Sequence, residues 1–176
     1  ESMQEAIRLQ CLYMLAARAV EIGRIDDYLG EFYRKDLKTG RITHDQAVRL
    51  LDNFFTIIET QCGRDTRVII GGMGREHEKS ADEFAMLVMD VLEVRREHFY
   101  PQISLRYYKE MNQDIYDRAL RILGSGMTFP MLYNDDVNVP AVMRAMDVPR
   151  KAAEQYSFFG CGEYMLAAQS IGTPNT

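Results

Sequence analysis

The sequence predicts an α/β fold whose strands run parallel or mostly so. Two observations carry that expectation. Apolar residues recur at helical spacing through the first third of the chain, and from Arg67 onward short β-branched or alternating runs take turns with helical stretches. A chain of 176 residues that is 47% hydrophobic has enough apolar side chain to fill a sizeable core in one unit.

The elements follow in order. Ile7, Cys11 and Leu15 mark one face of a first helix that runs on towards Gly23, and Ile25, Leu29 and Phe32 mark a second. Lys38–Arg41 is a turn. Thr43 and Gln46 form a capping-box pattern that opens a third helix, with Ala47, Leu50, Leu51, Phe54 and Ile58 as its buried stripe. Arg67–Gly72 is a β-branched run ending in two glycines, which reads as a buried strand. No phosphate-loop pattern surrounds Gly71 and Gly72, so they read as a bulge or strand end. Ser80 to Glu83 repeats the capping-box pattern ahead of Phe84, Leu87, Val88, Val91 and Leu92.

After Pro101 the run Gln102–Tyr108 alternates and reads as a second strand. Asn112 caps a helix through Ile115, Ala119 and Ile122, stopped by Gly124. Met127–Asp136 is a third strand or extended segment. A short helix follows with Pro140 near its first turn, and another follows with Asp147 as its N-cap. Tyr156–Gly160 is a fourth short strand. Four strands are too few to close a barrel, so the chain reads as part of a larger sheet: a helical segment over 1–66 and a partial α/β portion over 67–176, in one structural unit.

The net charge of −5 and the scattering of 21 Lys and Arg argue against a nucleic-acid or anionic-membrane surface. Arg, Glu or Asp interrupts every apolar stretch before it could cross a bilayer, and the opening residues lack a signal-peptide layout. Met3 follows Glu1 and Ser2, so the opening reads as a fragment boundary. Cys11, Cys62 and Cys161 are widely spaced, with no CxxC pair and no Cys/His cluster. That pattern argues against zinc and for a reduced, cytoplasmic protein.

The chemistry concentrates in "YSFFGCGEY", Tyr156 to Tyr164. Glycines on both sides of Cys161 permit backbone angles that other residues resist, and they clear side chains from around the sulfur. Such a loop, hung from a buried strand, projects one thiol into a cavity that Glu163 can also reach. A thiol beside a carboxylate suggests divided labour, one atom taken by sulfur and one proton by the acid. The ordinary reading of a lone cysteine beside aromatics is a small buried hydrophobe. Cys–His hydrolysis is disfavoured, because His44, His77 and His98 have no evident route to Cys161.

Further candidates for substrate contact are Ser104 and Arg106, which share a strand face by alternation, and Thr128, Phe129 and Tyr133, where the ordinary role of the aromatics is core packing. Asn134, Asp135 and Asp136 read as a turn with a helix N-cap.

Several blocks, in order, resemble the glycyl radical enzymes, the pyruvate formate-lyase-like superfamily. "YLGEFYRKDLKTGRITHDQAVRLLDNFF" is similar to that family's helical "FYxKDLxxGRIT" segment. "IIGGMG" with "ADEFAMLVMDVLEVRR" is similar to its Gly-Gly strand and following helix, and "PQISLRYY" to the next barrel strand. "GSGMTFPMLYNDDVNVPAVM" resembles the segment written with Gly-x-Gly, Pro and Asn-Asp, and "YSFFGCGEY" resembles the Gly-Cys-x-Glu active-site loop.

The resemblance covers nearly the whole chain and implies part of an α/β barrel with short parallel strands. It also implies radical chemistry. Cys161 would be the thiyl site that abstracts hydrogen from a small organic substrate, and Glu163 the acid or base of the dehydratase and lyase branches. Gly162 stands where the formate-lyase branch has a second cysteine, so dehydratases, carbon–nitrogen or carbon–sulfur lyases, or a radical decarboxylase are the implied activities. Tyr164 stands where the well-known polyol, choline and hydroxyproline enzymes usually have proline.

The Arg-Val-x-Gly-Tyr loop that bears the glycyl radical is not in these 176 residues. The chain would therefore work only with the remainder of an enzyme. The resemblance further implies a separate activating enzyme with an iron–sulfur cluster and S-adenosylmethionine. No metal or organic cofactor is implied within this chain itself, and a homodimer is among the assemblies the reading allows. A non-catalytic α/β binding module is the reading from another class.

Overall fold

The computed structural model describes residues 1–17, 19, 21–62, 66–159 and 162–166. Four short strands form one parallel sheet in the order β1 (Glu21–Arg24), β2 (Arg67–Gly71), β3 (Gln102–Tyr107) and β4 (Met131–Asn134). Helices separate them: α1 (Met3–Ala17), α2 (Ile25–Lys38), α3 (His44–Ile57), continued by a π-helical turn over Ile58–Cys62, α4 (Glu78–Val94) and α5 (Gln113–Gly124). After β4 come α6 (Asp135–Met146) and the single turn α7 (Arg150–Ala153). The last element among the described residues is an antiparallel hairpin, β5 (Tyr156–Phe159) with β6 (Glu163–Leu166).

Strand alternation sorts the side chains onto two faces. Val68, Ile70, Ile103 and Leu105 join Ile22 in the main core, under Leu29, Leu51, Phe54, Phe84, Val88 and Ile115 from the helices. The residues between them turn the other way. Ile69 belongs to a second cluster with Tyr156, Phe158 and Leu166 of the hairpin and Val139 and Val142 of α6. The hairpin therefore lies, with α6, against the face of the sheet opposite α1–α5. Every residue of β2 is buried, as a central parallel strand covered on both sides requires.

Helix packing sets the spacing. A Cβ added to Gly30 of α2 would lie 2.6 Å from the Ser80 carbonyl oxygen, so the bare glycine lets α2 and α4 approach backbone to backbone. Thr43 caps α3 as its pattern predicts: its hydroxyl accepts from Gln46 N–H while the Gln46 side chain accepts from Thr43 N–H. Asn112 caps α5 in the same spirit, accepting from Asp114 N–H.

The structure differs from the sequence expectations at five places. The first helix stops at Ala17, and Glu21–Arg24 is a strand inside the stretch read as helical; a glycine and two charges hide its short alternation. α4 begins at Glu78, two residues ahead of the expected cap, and the Ser80 hydroxyl donates to the His77 carbonyl instead of capping. α6 begins at Asp135, which leaves Pro140 inside the helix rather than in its first turn. Asp147 closes α6 in a left-handed conformation (φ 51°) and does not open α7, whose N-cap is Pro149. The strand at Tyr156 pairs antiparallel with β6 and stays out of the parallel sheet.

Candidate active site

The Gly160-Cys161-Gly162-Glu163 stretch joins the two strands of the hairpin. Cys161 itself lies outside the described residues, as does Gly160. Gly162 adopts φ +121°, and a Cβ there would sit 3.5 Å from the Tyr133 hydroxyl. This end of the hairpin thus lies beside β4. Tyr133 also stacks on Phe158 of β5 with ring centroids 3.8 Å apart.

Arg67, at the start of β2 and only 2% exposed, donates to the Tyr133 hydroxyl at 3.0 Å and to Gln102 Oε1 at 2.9 Å. Its guanidinium carbon lies 5.7 Å from the centre of the Phe158 ring. A buried cation, a tyrosine hydroxyl and an amide therefore gather at the same end of the hairpin as the glycine turn.

Glu163 is exposed and lies opposite Phe159 in the hairpin register, and Met165 lies opposite Ser157. By alternation Glu163 shares a hairpin face with Met165 and Ser157, while Tyr164 packs on the other face with Phe158 and Tyr156. Ser157 and Met165 border a cavity of about 570 Å³ between the hairpin, β1 and α1, which Glu21, Arg24 and Tyr13 also line. Glu163 thus stands on the cavity side of the hairpin.

Glu21 sits opposite Arg67 in the β1–β2 register. Burial pushes its carboxyl up to about 7, against the pull of the Gly23 N–H, which donates to it at 3.1 Å, and of the Arg67 charge. Burial, reinforced by the nearby Arg106 charge, brings Arg24 down to about 10.

The other sequence candidates divide. Ser104 is fully buried on the hairpin side of β3, and its hydroxyl has no hydrogen-bond partner among the described residues. Arg106 shares that face, but it is bound to Asp135 instead of open to the cavity. Phe129 packs with the helix-side core and lines a separate cavity of about 200 Å³ with Tyr100, Pro101 and Phe99. Tyr133 therefore meets the hairpin and Phe129 does not. Asn134 caps α6, accepting from Asp136 N–H at 3.0 Å, as its position in the sequence suggests.

Sequence reasoning missed Glu21 and Arg67. For Arg67 a signal existed: a charge two residues before Ile69 shares the face of Ile69 and Gly71 in an extended strand. For Glu21 there was none once the stretch had been assigned to a helix.

The sequence profile of the family described as pyruvate formate lyase-like matches residues 1–175. The chain belongs to that family. Two curated relatives in it are a probable dehydratase, YbiW, of Escherichia coli K12, 24% identical over 162 residues, and an isethionate sulfite-lyase of Nitratidesulfovibrio vulgaris, 28% identical over 161 residues. Each match covers 82% of this chain but only 20% and 19% of the relative. The solved structure of a glycyl radical enzyme from Archaeoglobus fulgidus superposes with a TM-score of 0.70 at 25% identity, over 84% of this chain and 21% of that one.

The chain therefore spans about a fifth of the length of the family members it matches. A short-stranded parallel sheet with α1–α5 on one face and α6 and the hairpin on the other is the part of the glycyl radical enzyme architecture that it supplies. No helix among the described residues is long and apolar enough to cross a membrane.

Proposed function

We propose that this chain is the section of a glycyl radical enzyme that carries the hydrogen-abstracting cysteine, and that the enzyme is an eliminase: a dehydratase or a carbon–nitrogen or carbon–sulfur lyase. The observation that supports this most is the placement of the hairpin. Its glycine-flanked turn lies beside Tyr133, and its Glu163 side faces the cavity that Glu21 and Ser157 line.

In this reading the Cys161 sulfur gives its hydrogen atom to a glycyl radical held by the remainder of the enzyme. It then takes a hydrogen atom from a carbon of the substrate. Glu163 accepts the proton of the hydroxyl on that carbon, and the neighbouring group leaves with its bonding electron pair. A carbonyl forms, and the unpaired electron moves to the carbon that the group has left. The sulfur returns the hydrogen atom there, and the thiyl radical recovers its own from the glycine. Sulfur–hydrogen and activated carbon–hydrogen bonds are close in strength, so neither transfer is steep. The remainder of the polypeptide would close over the hairpin side of the sheet and keep water from the radical.

Ser104 and Tyr133 serve as substrate contacts. The orphaned Ser104 hydroxyl supports the first, because a fully buried hydroxyl without a partner is costly unless a ligand supplies one. The 176 residues alone are inactive. The rest of the polypeptide supplies the other strands and the glycine loop, and a separate S-adenosylmethionine and iron–sulfur activating enzyme installs the radical. Cys11 and Cys62, both free thiols, fit a reduced cytoplasmic setting.

The test uses the complete enzyme, activated without oxygen. Cys161→Ser should abolish turnover while the glycyl radical signal still forms in electron paramagnetic resonance. Turnover that survives this change removes the assignment.

A further inference from the structure

The hairpin is gripped at its base by two arginines from the sheet, and they grip it by its backbone. Arg106, on β3, has no exposed surface. Its Nε and Nη2 donate to Asp135 Oδ1 and Oδ2 at 3.0 and 2.8 Å, a two-pronged pair with the first residue of α6. The same guanidinium reaches onward. Nη1 donates to the Tyr156 carbonyl and Nη2 to the Glu154 carbonyl, both at 3.0 Å, and the guanidinium carbon lies over the Tyr156 ring, 3.7 Å from its centre.

Arg24, on β1, donates to the Glu154 carbonyl at 3.2 Å and to the Met73 and Gly72 carbonyls at 2.9 and 3.3 Å. Asp135 holds the assembly together from below: it accepts from the Met73 N–H at 2.8 Å and from the Tyr156 hydroxyl.

The geometry points to Arg106 as a positioning residue for the reaction: held by Asp135, it fixes the depth and tilt at which the hairpin delivers Cys161 and Glu163. This rests on the catalytic reading of that hairpin. Three features make the role specific to the guanidinium. Its planar fork satisfies a carboxylate and two carbonyls at once, which an ammonium group cannot reproduce. The carbonyls it holds lie where the chain enters β5, so they set the hairpin's angle. The loop after β2 is shaped to it as well: a Cβ on Gly72 would lie 2.8 Å from Arg106 Nε.

Leverage makes the angle matter. At about 3.3 Å per residue β5 extends about 10 Å from Tyr156 to Phe159, so slack at its base is passed to the turn as a displacement on the order of 1 Å. A misplacement of that size lowers the rate of a positioned reaction by about a hundredfold.

Two variants of the complete enzyme test this, Arg106→Lys and Asp135→Asn, with Cys161→Ser beside them. The readout is kcat per glycyl radical counted by electron paramagnetic resonance, together with KM. We expect kcat per radical to fall at least tenfold in both variants with KM within threefold. A merely structural role would reduce the amount of radical-bearing enzyme without changing the turnover of each radical.

Turnover per radical within twofold of the parent in either folded variant overturns the proposal. Loss of turnover in Cys161→Ser alongside that result would leave the catalytic reading standing. Turnover that persists in Cys161→Ser removes the catalytic reading and the positioning role together. If neither variant folds, hydrogen exchange on the unaltered enzyme decides. The amides of β5 and β6 should exchange as slowly as those of β2 and β3, and exchange at least a hundredfold faster rules out a fixed hairpin.

Discussion

Asp26, in the first turn of α2, accepts a hydrogen bond at 2.7 Å from the Gly71 N–H at the end of β2, and its carboxylate also holds the buried Arg75 guanidinium at 3.3 Å. One fully buried side chain thus ties the first helix–strand crossover to the second. Asp26→Ala would leave an amide without its acceptor and Arg75 with Asp82 as its remaining charge partner at 2.8 Å. We expect a loss of about 3 kcal/mol in unfolding free energy, read by denaturant titration, with Asp26→Asn losing less. An unchanged midpoint for the alanine variant would contradict this account of the crossover.

Gly71 and Gly40 both have positive φ, but only one of them is crowded. A Cβ on Gly71 would run into the Arg106 carbonyl oxygen, whereas Gly40 faces open space. Gly40→Ala should cost about 1 kcal/mol, the backbone term alone. Gly71→Ala should cost well above about 2 kcal/mol, because β2 and β3 must also part. Melting temperatures of the pair measure the difference, and equal shifts would refute it.

Glu21 makes a prediction with a sign. Its folded value of about 7 lies above the ordinary 4.5, so the folded state binds the proton more tightly. The stability this contributes is fully present below about pH 4.5 and is lost as pH rises through about 7. Glu21→Gln should flatten that part of the stability–pH curve, measured by urea unfolding at several pH values. A slope unchanged by the substitution would show that Glu21 titrates normally.

Tyr133→Phe keeps the stack on Phe158 and deletes only the hydroxyl that Arg67 contacts. Stability should fall by about 1 kcal/mol. In the complete enzyme kcat/KM should fall about tenfold, because the hydroxyl that lies beside the Gly162 turn is proposed to contact the substrate. Steady-state kinetics at constant radical content test this, and a kcat/KM within twofold of the parent would take Tyr133 out of the site.

How much of this could be read beforehand depended on how local the signals were. Thr43 with Gln46, Asn112 and Asn134 announce helix starts through side chains that act within a turn of themselves, and all three cap as expected. The strands at Arg67 and Gln102 are long enough for their composition to show. β1 is four residues, and one of them is glycine, so its identity comes from pairing with β2 across more than forty residues of sequence. The site followed the same rule. Tyr133 was a candidate on its strand, but its contact with the hairpin turn is tertiary. Arg106 and Asp135 were each visible as charges. Nothing in their spacing said that they would neutralise one another and take hold of Glu154 and Tyr156. The π-helical turn that prolongs α3 has no sequence cause that we can name.

The anchor of the hairpin has a consequence for how this architecture can change. Arg24 and Arg106 hold main-chain oxygens at positions 154 and 156, and every amino acid carries that atom. Side chains on the cavity face of the hairpin, such as Ser157 and Met165, can therefore be exchanged without disturbing the mount, much as a drill accepts different bits in one chuck. New substrate preferences arise by rewriting that face around Cys161 and Glu163, which makes it the natural place to diversify in the laboratory.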